Sequence, residues 1–221
     1  MQIIELELLS DDLTETEKFY KKVLGLEPYM REDKTRIFFT VGATKLIFRK
    51  SENLKPIYHF AIDLPTNRFF DAHDYIKALT PIVPAEGDDI ANFTNWDAKS
   101  FYFYDNNGNI LEFITRYPNK EYYREAFSYK CYVSISEIGL VTNNVPELAN
   151  ILKEEYGVPI FKRQPRSDNF TVSGDDTGLF IIVQKDRDWF PTTIKAKAFS
   201  TRVLFMDQGN VGHIVRNDYL N

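Results

Sequence analysis

The chain, 221 residues with 43% hydrophobic and 27% charged side chains, has the balance of a globular protein and the length for one large domain or two small ones, whose core needs neither disulfide nor metal. Its formal net charge of −5, with Lys and Arg scattered along it, argues against nucleic acid as a partner, and no apolar stretch approaches the roughly 20 residues of a membrane span. One cysteine, Cys131, leaves no internal disulfide and fits a reducing compartment; with no basic-then-apolar leader at its start, the expected location is the cytoplasm.

Residues 3–9 alternate as a strand, with Ile4, Leu6 and Leu8 on one face and Ile3, Glu5, Glu7 and Leu9 on the other. A helix is predicted next: Asp12 is its N-cap, Leu13, Thr16, Phe19, Tyr20, Val23 and Leu24 form its stripe, and Gly25 stands at the C-terminal cap. Strands are expected near 27–32, 35–41 and 44–49, with Gly42 turning the last pair. The same order recurs from Ile57. A strand over 57–64 leads to Thr66 as N-cap, to a helix marked by Phe69, Phe70, His73, Ile76 and Leu79, and to strands near 81–86, 99–104 and 109–116, with a loop over 87–97. It recurs again from about Val133, with Ile138 and Leu140 facing one way, Asn144 as N-cap, a stripe of Val145, Leu148, Ile151, Leu152 and Tyr156 ending at Gly157, and strands near 159–164, 169–173 and 179–184.

The copies share a register. Glu5 to Asp12, His59 to Thr66 and Glu137 to Asn144 are each seven positions, so a polar residue occupies the same point of each first strand. Anchored on Gly42, Gly108 and Gly178, the last strands align Leu46, Glu112 and Ile182. A repeat of this length favours a few modules joined into curved sheets over a stacked array. Over 101–114 two aromatic and branched strands flank an Asp-Asn-Asn-Gly turn, and Glu112 falls in the middle of the second. An unpaired carboxylate there is costly, so Glu112 faces a wet cavity or binds a cation or donor. Ile57, His59, Ala61 and Asp63 share one strand face, and the small Ala61 leaves room beside the imidazole.

The run Leu13 to Leu26, with Phe19-Tyr20 and Leu24-Gly25-Leu26, resembles the first helix of the vicinal oxygen chelate superfamily, the group of glyoxalase I, fosfomycin-resistance proteins, bleomycin-binding proteins and extradiol dioxygenases. Asp105-Asn106-Asn107-Gly108-Asn109-Ile110-Leu111-Glu112 is similar to its turn and metal-bearing strand, and His59-Phe60-Ala61-Ile62 to the start of its second module. The resemblance implies an α+β fold of repeated βαβββ modules, two of them paired into a cup-shaped mixed sheet. The modules at 1–52 and 56–117 are expected to pair within 1–126. A degenerate third module follows in 127–221, with one further strand over 199–206 closing its sheet edge and a tail to Asn221.

Carried over by position, the resemblance implies Glu5, His59 and Glu112 as metal ligands, Leu46 being unable to serve as a fourth. Glu137 occupies the metal position of the third module, where Ile182 offers no partner. One imidazole and two carboxylates suit Fe, Mn, Ni, Co or Zn as a divalent ion, and either carboxylate, Glu112 or Glu5, is the candidate catalytic base. Three readings stand: a metal-dependent lyase, isomerase, transferase or dioxygenase acting on a small vicinally oxygenated substrate; a metal-free, bleomycin-resistance-like ligand-binding protein; and a paralogue whose site has decayed. A single His weighs against oxygen chemistry, and Leu46 weighs against glyoxalase I itself. The expected partner is a small-molecule substrate or ligand, with neither nucleic acid nor a membrane, and a homodimer is left open. Trp96 and Phe101 to Tyr104 form an aromatic wall or ordinary core. Lys45, Arg49 and Arg116 stand where they could hold an anion, whereas His73, His213 and Cys131 read as structural or exposed.

Overall fold

The computed structural model describes residues 1–216. Strand β1 (Gln2–Ser10) runs into helix α1 (Leu13–Leu24), and β2 (Met30–Glu32), β3 (Arg36–Val41) and β4 (Thr44–Lys50) complete the first module. Asp12 caps α1 by accepting from the backbone N–H groups of Thr14 at 2.9 Å and Glu15 at 3.1 Å. The second module is β5 (His59–Asp63), α2 (Phe69–Lys77), β6 (Ile82–Val83), β7 (Ala91–Phe93), β8 (Ala98–Tyr104) and β9 (Ile110–Arg116). The third is β10 (Ser134–Thr142), α3 (Val145–Tyr156), β11 (Phe170–Asp175) and β12 (Gly178–Gln184), and a hairpin of β13 (Thr201–Asp207) and β14 (Asn210–Arg216) follows. The α+β expectation holds, with two mixed sheets and three α-helices among the described residues.

The modules pair differently from the expectation. The larger sheet runs β11-β12-β10-β5-β9-β8-β6, with β7 on β8, so the second module joins the third through antiparallel β5 and β10. The smaller runs β14-β13-β1-β4-β3-β2, so the modules at 1–52 and 56–117 do not share a sheet. The segment expected to close the third module's edge lies instead against β1. Its alternation explains this: Val203 and Phe205 enter the core that β1 shares, while Arg202, facing outward, meets the carboxylates Glu5 and Glu7.

Smaller differences have local causes. The strand expected near 159–164 is reduced to one bridge, Ile160 to Ser173, because Pro159 and Pro165 remove ladder donors at both ends. Thr66 caps nothing: a 3-10 turn over Thr66–Arg68 precedes α2 and makes no side-chain cap bond. The expected loop over 87–97 carries the short β7 and a 3-10 turn at Thr94–Trp96.

One buried cluster runs through both sheets. It takes Leu6, Leu8, Leu46 and Phe48 from the smaller and Phe60, Ile62, Phe113 and Phe180 from the larger. Each such side chain contributes roughly 1.5–3 kcal/mol by leaving water. Gly42 lets the sheets approach, since a Cβ there would lie 2.1 Å from the Val133 carbonyl oxygen. With Phe60, Ile62, Leu111 and Phe113 committed to this core, strand alternation turns His59, Ala61, Glu112 and Arg116 to the other face of the larger sheet.

Candidate metal centre

Three strands converge on Ala61. Parallel β5 and β9 set Ala61 opposite Glu112, and antiparallel β5 and β10 set Ala61 opposite Glu137. A methyl group between two carboxylates, one strand step from His59, leaves the space in which all three can meet. His59, Glu112 and Glu137 each bring a ligand atom within 4.8 Å of the others, and all three are buried. The β10 register shifts between Ile135 and Glu137, an irregularity that lets Ser136 and Glu137 both reach Arg116 from consecutive positions.

The imidazole is oriented by backbone. Its Nδ1 lies 3.1 Å from the carbonyl oxygen of Ile110, which can only accept, so Nδ1 carries the proton and Nε2 keeps a lone pair. Burial pushes the His59 pKa down to about 4, against the opposing effect of the Ile110 bond, so the ring is neutral near pH 7. Nε2 stands 3.4 Å from a Glu112 oxygen. A lone pair facing an ionised carboxylate at that distance is repelled unless a proton or a cation lies between them.

Burial, then the charge of Glu137, drive the Glu112 carboxyl well above its usual range, while Ser100, Arg116 and Tyr102 act the other way. Glu137 is raised to about 6 by burial and held down by Arg116. The Arg116 guanidinium, 1% exposed, bonds Glu137, donates to Ser136 Oγ at 2.9 Å and lies 3.4 Å from Asp63 Oδ1. Asp63, Glu112 and Glu137 against Arg116 leave two negative charges when all are ionised, the complement of a divalent cation. The donor set, the free imidazole lone pair and this balance fit such an ion.

Beside the donors lies a cavity of about 210 Å³, whose walls include Phe93, Trp96, Tyr102, Trp189 and Phe190. The Trp189 ring packs 5.4 Å from that of His59, and its six-membered edge rests on Gly139, where a Cβ would come within 2.4 Å. Trp189 and Phe190 lie after β12, outside the repeat, so no module register pointed to them.

Of the residues the sequence marked, the structure brings His59 and Glu112 together and leaves Glu5 apart. Glu5 lies on the smaller sheet, 2.6 Å from Arg202 and 3.2 Å from Lys45. Its strand neighbours are β13 and β4, so the point equivalent to His59 meets two cations. Glu137 occupies the third place, and the signal for it was the seven-residue spacing to Asn144. Arg116 is in the site, while Arg49 serves Glu7 at 3.2 Å. Leu46 and Ile182 are wholly buried in the core. His73 packs on Phe101 with Nδ1 3.1 Å from Asp74, His213 is exposed on β14, and Cys131 is buried. Tyr102 lines the cavity, whereas Phe101 and Phe103 are core.

Among solved structures, a protein described as a candidate dioxygenase from Bacillus subtilis superposes with a TM-score of 0.61 at 15% identity, over 83% of this chain and 63% of its own. The chain has the vicinal oxygen chelate fold. Shorter solved structures match about half of this chain. Lactoylglutathione lyase from Agrobacterium tumefaciens matches 51% of it and 92% of its own length at 24% identity and a TM-score of 0.43. The fosfomycin resistance protein FosX from Listeria monocytogenes, solved as a point mutant with Mn(II) and a dihydroxypropylphosphonic acid, matches 48% and 83% at 20% identity and 0.40. The chain spans about 63% of the length of the Bacillus protein. No protein-family model matches it, and no curated protein does. The vicinal oxygen chelate resemblance read from the sequence is thus borne out at the level of the fold. Among the described residues no helix is long and apolar enough to cross a membrane.

Proposed function

We propose that this chain is a metal-dependent protein of the vicinal oxygen chelate type, holding a divalent ion on His59, Glu112 and Glu137 and binding a small oxygenated molecule in the adjoining aromatic cavity. The observation that carries the reading is the His59 lone pair aimed at Glu112 in a buried cluster of three potential donors, where the carboxyls, once ionised, outnumber Arg116. A bound divalent ion supplies a Lewis acid for a developing enolate or alkoxide. The chain's own parts are plain. His59 would present Nε2, the aromatic walls flank the donors, and Glu112, if released from the ion, is the carboxylate placed to take a proton. The reaction class is lyase, isomerase, transferase or dioxygenase, and the ion is Fe, Mn, Ni, Co or Zn.

A second reading has its own support. Arg116 already bonds Glu137, so a cation serves one of the donors without any metal, as in a metal-free ligand-binding protein. Thermal unfolding after chelation and again after addition of each ion separates the two. The metal reading expects Tm to rise with at least one of Mn, Fe, Ni, Co or Zn and to stay unchanged in His59→Ala. No rise with any ion, together with a rise on adding small aromatic ligands, would favour the binder.

A further inference from the structure

The cavity beside His59, Glu112 and Glu137 has a second polar element, and it is cationic. Arg187, in the segment after β12, is the only Lys or Arg among the described residues that line it. Its guanidinium packs on the Phe170 ring at 4.8 Å, and Nη1 donates to the Asp188 carbonyl oxygen at 3.2 Å. The Asp188 carboxylate is taken by Lys195 at 2.7 Å, and Arg187 makes no ion pair among the described residues. Burial depresses its pKa, and the one charge acting against that is Asp188, not Glu112 or Glu137. A partly buried guanidinium with most of its fork of donors turned to no protein acceptor among the described residues suits a carboxylate.

Size and sign complete the argument. An apolar cavity of roughly 150 Å³ accepts benzene. The 210 Å³ here, walled by aromatic rings, therefore suits one planar ring with substituents. Arg187 is the one cationic side chain on this wall among the described residues, and so the protein's partner for an anionic substituent. Resting on the metal reading above, we propose that the ligand is a single-ring planar anion whose carboxylate or equivalent anion is held by Arg187, with its opposite edge toward His59, Glu112 and Glu137. Arg187 then determines specificity and takes no part in holding the metal.

The test uses two probes of one shape, 3,4-dihydroxybenzoate and the neutral 3,4-dihydroxybenzamide. Binding to manganese-loaded protein is read as quenching of Trp96 and Trp189, which both line the cavity, with metal content measured on the same samples. Wild type should bind the anion roughly 10-fold or more tightly than the amide. Arg187→Gln should bind the two alike, Arg187→Lys should keep part of the preference, and manganese content should be the same in all three. Equal binding by wild type, or an anion preference that survives in Arg187→Gln, overturns the inference. Manganese retained with neither probe bound also overturns it and leaves the metal reading standing. Manganese not retained by wild type removes the metal reading, and the same pair is then compared on metal-free protein, where absence of the anion preference overturns this inference as well.

Discussion

Asp105 shows how one side chain locks the turn that delivers β9. Its Oδ1 accepts from the backbone N–H groups of Asn107 at 2.8 Å and Asn109 at 3.0 Å, and its Oδ2 from Asn109 Nδ2 at 2.8 Å and the Tyr20 hydroxyl at 3.1 Å. Burial nevertheless outweighs these bonds and raises its pKa to about 6. A carboxyl raised from 3.8 binds its proton more tightly folded than unfolded, so its contribution is full below pH 4 and is lost as pH rises through 6. Asp105→Asn cannot accept all four bonds and should cost about 1–3 kcal/mol at pH 7 in urea unfolding. The fall in stability between pH 4 and pH 6 should also be shallower in the variant than in wild type. An unchanged pH slope would show that Asp105 does not titrate there. The sequence displayed this turn plainly, since Asp-Asn-Asn-Gly between apolar strands has few other uses. It did not display the Tyr20 hydroxyl 85 residues away, which only the packed α1 brings near.

Among elements, the decisive one is β5. It is buried along its whole length, and its central Ala61 lies between Glu112 of β9 and Glu137 of β10. Ala61→Val adds two methyl groups where the three donors converge. It should abolish metal binding with His59, Glu112 and Glu137 all intact, at a stability cost of roughly 1–3 kcal/mol for overpacking. Metal retained at the wild-type level would mean that the donors meet elsewhere. Gly139→Ala probes the neighbouring wall: the added Cβ would meet the Trp189 ring, so the ring must move. Near-ultraviolet circular dichroism and probe quenching should change together while metal content holds. The alternation that turns His59, Glu112 and Arg116 to one face was legible in the sequence, because period-2 patterning settles faces. Which strand lay next to β5 was not. The repeats themselves look alike, and their register is equally consistent with β1 or β10 as the partner.

For the whole molecule, the pairing of modules decides which acidic residue belongs to the site. Glu5 and Glu137 hold the same place in their repeats. Glu5 meets Arg202 and Lys45 because β13 and β4 flank β1, and Glu137 meets His59 and Glu112 because β10 flanks β5. The two sheets are tied through aromatic packing, Phe205 of β13 standing edge-on to Phe180 of β12 at 5.1 Å. Phe205→Ala should therefore cost about 3–5 kcal/mol. Intrinsic fluorescence and far-ultraviolet circular dichroism should still report one coincident transition, whereas separate transitions would show two independently folding sheets. The sequence thus carried the module architecture, the caps of α1 and α3 and two of the three clustered donors. The third donor and the cavity walls after β12 depended on contacts between distant segments that no local pattern encodes.

The most direct test of the account is metal content by plasma mass spectrometry on untagged protein, reconstituted in turn with Mn, Fe, Ni, Co and Zn, for wild type, Glu137→Gln and Glu5→Gln. The account predicts about one divalent ion per chain in wild type, its loss in Glu137→Gln and its full retention in Glu5→Gln. No bound ion in wild type under any reconstitution, or loss in Glu5→Gln with retention in Glu137→Gln, would contradict it.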